Sequence, residues 1–184
     1  MKLRPANRTA IGKEQQYATP GDFSLLFTEE RTSLYLLSFL LTADSVTAWR
    51  CFVDGLGDSI HANSVFKQWA HAWARRMIIE NAIRIIVPRP GQSGGTELAL
   101  DPELSNEVQT ALDGDAVIAP VFELPDFERF VFVMSVLEGY SDQECSALLR
   151  CSLQEFRNSR TQALQWITQS RAKSVASGCA ALIH

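Results

Sequence analysis

Two helix-capping patterns in the last third of this chain constrain its fold more than any other feature. Ser141 is followed three residues later by Glu144, and Ser152 is followed three residues later by Glu155. In such a capping box, the serine hydroxyl accepts a hydrogen bond from the N3 amide, and the N3 carboxylate accepts one from the amide of the serine. Each serine therefore predicts the start of a helix.

The two predicted helices are joined by a tight turn. The first covers Asp142–Leu149, about two turns, and a helix of that length is not stable alone in water. Arg150 and Cys151 form the turn, and the second helix begins at Leu153. This is the layout of a helix-turn-helix. We expect its second helix to place these residues inward: Leu153, Phe156, Ala163 and Ile167.

The opening turns of the second helix carry side chains suited to nucleic acid. In a helix-turn-helix these residues meet base edges in the major groove, where Gln and Asn suit adenine and Arg suits guanine. Gln154, Arg157 and Asn158 are the candidates for base contact, and Arg160 is placed to reach a phosphate. Arg150 in the turn and Ser152 at the cap complete the candidate set. The alternative is an ordinary helical hairpin with a polar outer face.

Helical periodicity also covers the N-terminal half, starting at Phe23. A break at residues 42–46 precedes a helix predicted over Thr47–Leu56, and three residues then predict a loop: Gly55, Gly57 and Asp58. A further helix over Val65–Ile86, capped by Asn63 or Ser64, ends before Pro88.

The helix over Val65–Ile86 combines aromatic residues with positive charge. Its apolar stripe is Phe66, Trp69, Trp73 and Met77, at spacings of 3, 4 and 4. Such a stripe is more often core than a platform for stacked bases. Positive charge is set against Glu80 alone within this helix, and the candidate nucleic-acid contacts are Lys67, Arg75, Arg76 and Arg84.

An acidic segment separates the two helical halves. Between Gly91 and Phe127 there is no Lys or Arg, and a stretch of this length without a period is unusual inside one compact domain. After it, a helix ending at Gly139 is predicted to bury Phe127, Phe130, Val131, Met134 and Leu137. The predicted organisation is a poorly ordered arm (1–20), a helical domain (21–90), a linker (91–120), a helix-turn-helix domain (121–172) and a tail (173–184).

Composition limits the classes of function. The 184 residues carry a net charge of −4 with 46% apolar and 21% charged residues, as in ordinary globular proteins, so any nucleic-acid contact must use local basic patches. The four cysteines show no CxxC spacing, and we expect neither a disulfide scaffold nor a metal site. No signal peptide or membrane-spanning run is evident, which predicts a reduced, cytoplasmic location. The sequence shows no recognisable set of catalytic residues and no cofactor-binding motif, so we expect a non-enzymatic protein without a cofactor.

Taken together, the two halves resemble the small two-domain sigma factors of bacterial RNA polymerase, the extracytoplasmic-function group. The C-terminal half resembles their region 4 through Leu124-Pro125, Glu138-Gly139-Tyr140-Ser141, Glu144, Leu148-Leu149 and Cys151-Ser152. The N-terminal half resembles region 2 through Leu41-Thr42-Ala43-Asp44, Ala48, Phe66, Trp69, Ala74-Arg75 and Arg84. The resemblance covers about residues 20–90 and 121–170.

The resemblance implies an all-α protein of two small helical domains that binds core RNA polymerase and directs it to promoter DNA. It implies that the helix bearing Lys67, Arg75, Arg76 and Arg84 holds the −10 element, and that the acidic linker threads the RNA path of the polymerase. The polymerase-binding residues it implies are Asp44, Trp49, Arg50, Val53 and Asp54. A monomer is expected, an anti-sigma partner is left open, and no membrane contact is implied.

Two further functions stay open at this point. Trp49 and Arg50 stand where the family has acidic residues. That departure favours a sigma-derived helix-turn-helix regulator or adaptor that no longer initiates transcription. A helical enzyme is the third and weakest alternative, because no nucleophile, base and orienting group occur together at a legible spacing.

Overall fold

The structure, a computed structural model, describes residues 16–62, 64–91 and 118–180, with side chains to residue 172. Its regular elements in these ranges are helical, and seven of them are α-helices. They are α1 (Pro20–Glu29), α2 (Arg31–Thr42), α3 (Ser45–Ile60), α4 (Ala70–Ile86), α5 (Asp126–Phe132), α6 (Asp142–Leu149) and α7 (Leu153–Ala180). Short 3-10 turns precede α4 at Lys67–Trp69 and α5 at Ala119–Glu123, and a π-helix, Val133–Leu137, continues α5.

Helix α3 is longer than the sequence predicts. It runs from Ser45 to Ile60, with Asp44 as the N-cap residue whose carboxylate accepts the Thr47 amide at 2.7 Å. The loop predicted at Gly55, Gly57 and Asp58 was wrong. Gly55 is instead a contact residue between α3 and α4, since a Cβ built on it would lie 2.8 Å from Ile78 Cγ1 and 3.3 Å from the Ile78 amide nitrogen. Tertiary packing therefore outweighs the weak helix propensity of glycine here.

We expect Gly55→Ala and Gly57→Ala to change stability in opposite directions. The added methyl group at position 55 forces α3 away from α4, and overpacking of this kind costs about 1–2 kcal/mol. A Cβ at Gly57 meets nothing within 4 Å, so alanine there gains helix propensity of about 0.5–1 kcal/mol. Urea denaturation of both variants measures the difference, and equal shifts would show that the α3–α4 contact is looser than described.

Helix α4 also departs from the expected pattern. It begins at Ala70 after the 3-10 turn, Ser64 has a positive φ of 54° and caps no helix, and Asn63 lies outside the described residues. The predicted stripe was wrong in part: Met77 is buried, but Trp69 is 57% exposed. Small residues form much of the buried face because α3 approaches closely, and this face comprises Ala70, Ala74, Met77, Ile78, Ile79, Asn81 and Ala82.

The helix before the helix-turn-helix is buried almost as predicted. Phe127, Phe130, Val131 and Met134 are buried, whereas Leu137 is 43% exposed. The exposure of Leu137 follows from the π-helix, whose wider turn takes the residues after Met134 out of α-helical register. Gly139 then ends the segment with a positive φ of 71°, as its position before the capping box predicts.

The two halves of the chain share one hydrophobic cluster. The Phe39 ring on α2 contacts the Phe122 ring at 5.2 Å, and helix α2 packs against α5. The fully buried Arg129 also joins the two halves, since its Nε donates to the Leu41 carbonyl at 3.3 Å. Most of the predicted arm and linker, residues 1–15 and 92–117, lies outside the described residues, so the two-domain organisation stays a prediction. Helix α7 continues to Ala180, through the segment that was assigned to a tail.

Candidate functional site

Both predicted capping boxes are present in the helix pair α6–α7. The Ser141 hydroxyl accepts the Glu144 amide at 3.3 Å, and the Glu144 carboxylate accepts the Ser141 amide at 3.0 Å. The Ser152 hydroxyl accepts the Glu155 amide at 3.2 Å, and the Glu155 carboxylate accepts the Ser152 amide at 2.8 Å. These bonds hold the pKa of both glutamates below the ordinary value. The start of each helix is confirmed.

The turn between the two helices is made by one residue with left-handed backbone geometry. Arg150 has a φ of 53°, and its amide donates to the Ser146 carbonyl, so the turn closes on the last carbonyls of α6. A glycine at this position would adopt the same geometry without strain. The turn therefore places the backbone of Arg150 in a strained conformation. The side chain of Arg150 is exposed.

The inward face of α7 matches the prediction except at its first turn. Phe156, Ala163 and Ile167 are buried as expected, but Leu153 is 39% exposed. The first turn of α7 extends past the core, since residues 152–155 are all exposed. Ser159 supplies the remaining buried position, and its hydroxyl donates to Glu128 Oε1 on α5 at 3.3 Å.

The outward face of α7 is organised by one carboxylate that sequence reasoning missed. Asp142, the first residue of α6, accepts Arg157 Nε at 3.1 Å through one oxygen and Arg160 Nη1 through the other. The Arg160 guanidinium also lies 5.9 Å from the centre of the Phe156 ring. Two arginines from different turns of α7 are thereby oriented together, with one net positive charge for the three groups.

The remaining base-contact candidates are also oriented within the protein. Gln154 Nε2 donates to Asn158 Oδ1 at 2.9 Å, and both side chains are exposed. Four residues on a helix bring such side chains onto one face, as the sequence predicts. The partnership of Asp142 with Arg157 and Arg160 spans 15 and 18 residues, and no local spacing rule indicates it.

The four basic candidates on and before α4 each face an acid. Lys67 lies 3.1 Å from Asp22, Arg76 lies 2.9 Å from Glu80, and Arg84 lies 3.6 Å from Asp58. Arg75 pairs with Glu138 of the C-terminal half. The sequence of this helix has more basic than acidic residues, and acids from α1, α3 and the segment after the π-helix balance that excess of positive charge.

Arg75 and Arg76 line a cleft of about 1010 Å³ between α4 and the segment that leads into α6. Trp69 and Trp73 stand on the same wall, and the opposite wall is formed by Leu137, Glu138, Tyr140 and Glu144. Lys67 and Arg84 are not among the residues that line it. The structure therefore brings two of the four basic candidates on this helix into one concave surface.

The residues expected to contact polymerase lie on α3, apart from Asp44, which is its N-cap residue. Trp49 and Val53 are 46% and 44% exposed, and Val46, which sequence reasoning missed, is 73% exposed. The spacing of 3 and 4 residues places these three side chains on one helix face, which we call the α3 stripe. Arg50 and Asp54 pair with each other at 3.7 Å beside it. Asp44 differs from the others, because its carboxylate is used as the α3 cap.

The Trp49 ring in the α3 stripe packs against other aromatic rings. It stacks on the Phe52 ring with 5.5 Å between the centroids and 17° between the planes, and it lies 6.4 Å from the Tyr35 ring. Phe52 and Tyr35 are buried, so an aromatic cluster rooted in the core supports an exposed indole. An aromatic side chain that is already packed against its neighbours loses less side-chain entropy on binding a partner than a free one does.

No protein-family model matches this chain, and no curated protein matches it at a significant level. Within residues 16–62, 64–91 and 118–180, no cluster of three or more His, Cys, Asp or Glu side chains could hold a metal ion. None of the helices in those ranges is long and apolar enough to cross a membrane. Burial raises the pKa of the Cys51 and Cys145 thiols to about 12, so both stay protonated at neutral pH.

Proposed function

We propose that this chain is a sigma-type transcription factor that binds core RNA polymerase and promoter DNA, with region 2-like and region 4-like helical domains. The observation that carries the proposal is the α6–α7 pair, in which two capped helices meet at a tight turn and leave Gln154, Arg157 and Asn158 exposed. In a helix-turn-helix, side chains at these positions reach base edges.

Asp142, Arg157 and Arg160, which we call the Asp142 cluster, give this helix pair a way to bind the DNA backbone. A carboxylate and a phosphate offer guanidinium groups the same kind of charge-assisted hydrogen bond. A phosphate that approaches Arg160 can replace one Asp142 oxygen as the hydrogen-bond acceptor, and the arginine side chain keeps its conformation. Arg157, on the more exposed side at 59%, is then directed toward the groove. The arginines are ordered before binding, which lowers the entropy cost of contact.

The α3 stripe supports the polymerase part of the proposal. It lies on the helix that resembles the polymerase-binding helix of sigma factors, and it exposes three apolar side chains in a row. Contiguous exposed apolar side chains are a feature of interaction surfaces, and interface centres are enriched in tryptophan. The linker between the halves is proposed to follow the RNA path of the polymerase.

A sigma-derived regulator or adaptor is the second candidate. It is favoured by the Arg50–Asp54 pair and the exposed Trp49, since family members have acidic residues at positions 49 and 50. With Asp44 used as a cap, Asp54 is the remaining acid among the five polymerase-contact candidates. A partner other than polymerase would fit this less acidic surface.

Binding of the full chain to core RNA polymerase tests the proposal. We expect Val53→Lys to weaken it about tenfold, equivalent to about 1.4 kcal/mol, because a charge is placed in the middle of the α3 stripe. Leu164→Lys is the matched control, since Leu164 is 42% exposed on α7, away from the stripe. Affinity for polymerase is measured by titration with a labelled chain. Equal affinity of the two variants for polymerase would show that the α3 stripe is not the contact surface. A wild-type chain that does not bind polymerase would favour the adaptor.

A further inference from the structure

A cavity of about 410 Å³ lies between α7 and the segment that leads into α5, and we call it the Trp166 cavity. On the α5 side it is lined by Glu123, Leu124 and Glu128, among others. On the α7 side it is lined by four residues at helical spacing: Gln162, Gln165, Trp166 and Gln169. Its volume lies within the range of about 300–1,000 Å³ that is ordinary for small-molecule sites.

Two carboxylates are held near opposite ends of the Trp166 cavity. Glu128 Oε1 accepts the Ser159 hydroxyl at 3.3 Å, and Glu123 Oε2 accepts the Ser170 hydroxyl at 3.4 Å. The two serines are about three turns of α7 apart, or about 16 Å along its axis, and the α7 residues that line the cavity all lie between them. The carboxylates are therefore spread along the cavity rather than placed side by side.

These carboxylates differ from the acids at the other candidate surfaces, because no basic side chain neutralises them. Within the described residues, neither Glu123 nor Glu128 forms an ion pair, whereas Glu138 and Asp142 pair with arginines. Oε1 of Glu123 and Oε2 of Glu128 accept no hydrogen bond from the side chains and backbone of residues 16–62, 64–91 and 118–172. Each end of the cavity therefore keeps an acceptor for a cationic donor.

The middle of the Trp166 cavity combines apolar surface with amide groups. Trp166 is 47% exposed and Leu124 is buried, and both suit the methylene groups of a ligand. The three glutamine side chains carry amide oxygens that can accept N–H groups. A quaternary ammonium ion fits less well, because it has no N–H to donate and is held by cages of several aromatic rings, and Trp166 is the single aromatic side chain among the described lining residues.

We propose that the Trp166 cavity binds a linear aliphatic polyamine, with an ammonium group at each carboxylate and the methylene chain along Trp166 and Leu124. Charge-assisted hydrogen bonds would join the ammonium groups to Glu123 and Glu128. The candidate base-contact residues occupy earlier turns of α7, at 154–158, so the ligand does not take their place. The inference goes beyond the proposed function and does not depend on binding of DNA or polymerase.

The test is calorimetric titration of the full chain with spermidine, a linear triamine, at about 0.15 M salt, where long-range attraction is largely screened. We expect a Kd of about 1 mM or tighter. Glu123→Gln and Glu128→Gln should each weaken binding about tenfold, as expected for the loss of a hydrogen bond to a charged group. Glu29→Gln is the matched control, since it changes the net charge equally and Glu29 is exposed at the end of α1, outside the cavity.

Ligand length tests the separation of the carboxylates at constant charge. 1,8-Diaminooctane and 1,4-diaminobutane are both dications, and the longer one comes closer to spanning the two ends of the cavity. We expect 1,8-diaminooctane to bind about tenfold tighter to the wild type. This advantage should shrink in Glu123→Gln and persist in Glu29→Gln. Trp166→Leu should weaken spermidine binding about threefold through the loss of the cation–π contact.

Two controls keep the result interpretable. The amide oxygen introduced by Glu128→Gln can still accept the Ser159 hydroxyl, and circular dichroism checks that each variant folds. If Glu128→Gln does not fold, Glu123→Gln carries the test, because Glu123 is exposed. Butylamine has the carbon chain of a lysine side chain and one ammonium group, so it separates a free polyamine from a lysine of a partner protein. We expect it to bind at least about tenfold more weakly than spermidine.

The outcomes are distinct. Weaker spermidine binding confined to the cavity variants supports the site. A wild-type chain that does not bind spermidine overturns it, and so does an equal loss in Glu29→Gln, since net charge alone would then explain the binding. Butylamine that binds as tightly as spermidine also overturns it, because a lysine side chain would then satisfy the cavity. None of these results changes the standing of the proposed function.

Discussion

We expect the replacement of Arg129 with methionine to lower the free energy of unfolding by about 3–5 kcal/mol, the range found when one partner of a buried ion pair is removed. Arg129 is 0% exposed, the largest of the fully buried side chains in the described residues. Methionine fills part of the same volume, so the loss comes mainly from polar groups left without a donor. Each buried group that loses its hydrogen bond costs about 1–3 kcal/mol.

The groups left behind come from both halves of the chain. Arg129 donates to the Leu41 carbonyl and the Leu124 carbonyl, each at 3.3 Å, and to the Asp126 carboxylate. Burial lowers the pKa of Arg129, and the adjacent Asp126 carboxylate opposes that effect. The guanidinium is therefore retained in the core only because three acceptors surround it. Its loss should loosen the end of α2 as well as α5.

Urea denaturation followed by circular dichroism measures the effect. Arg171→Met is the control, because Arg171 is exposed on α7 and such a change stays within about 0.5 kcal/mol. Asp126→Asn combined with Arg129→Met should recover part of the loss, since the unpaired carboxylate is then removed. A decrease below about 1 kcal/mol for Arg129→Met would contradict the assignment of a buried bonding role.

If the chain reads DNA as proposed, we expect Arg157→Ala to flatten the sequence preference of the full chain at one or two base pairs. A well-formed base contact by arginine is worth roughly 1–3 kcal/mol of discrimination, and removing it leaves other positions unchanged. The substitution leaves no acid without a partner in this cluster, because Asp142 keeps its ion pair with Arg160. Selection from a randomised double-stranded pool, at two salt concentrations, measures both preference and affinity.

The neighbouring side chains give contrasting results in the same selection. Arg160→Ala should weaken binding to all sequences and lower the salt slope by about 1, as expected for a phosphate contact. Ser152→Ala should cost about 1 kcal/mol of stability through the lost cap and leave preference intact. If no sequence is enriched, and the two arginine variants behave alike, the helix reads no bases and the pair α6–α7 serves protein contact.

Local rules account for the parts of this fold that the sequence predicts well. The capping boxes at Ser141 and Ser152 depend on residues three apart, and the starts of α6 and α7 follow from them. The burial of Phe156, Ala163 and Ile167 follows from helical spacing alone. These interactions form within one or two turns, so no knowledge of the tertiary structure is needed.

Tertiary contacts explain what the sequence did not predict. Gly55 looks like a helix breaker until Ile78 is known to lie against it. The tryptophans before and within α4 look like core residues until small side chains are found to make the closest contacts. The acids that pair with Arg75, Arg157 and Arg160 are 63, 15 and 18 residues away in the chain. No periodicity links positions at those separations.

The pairing of basic side chains with internal acids has a kinetic consequence. The folded chain has a net charge of −4, and six candidate contacts each face a carboxylate: Lys67, Arg75, Arg76, Arg84, Arg157 and Arg160. A polyanion is then not drawn in from a distance. Its association rate should stay near the roughly 10⁵–10⁶ M⁻¹s⁻¹ of unsteered docking, well below that of electrostatically steered pairs. Partners would be distinguished after the first encounter, by how long each complex lasts.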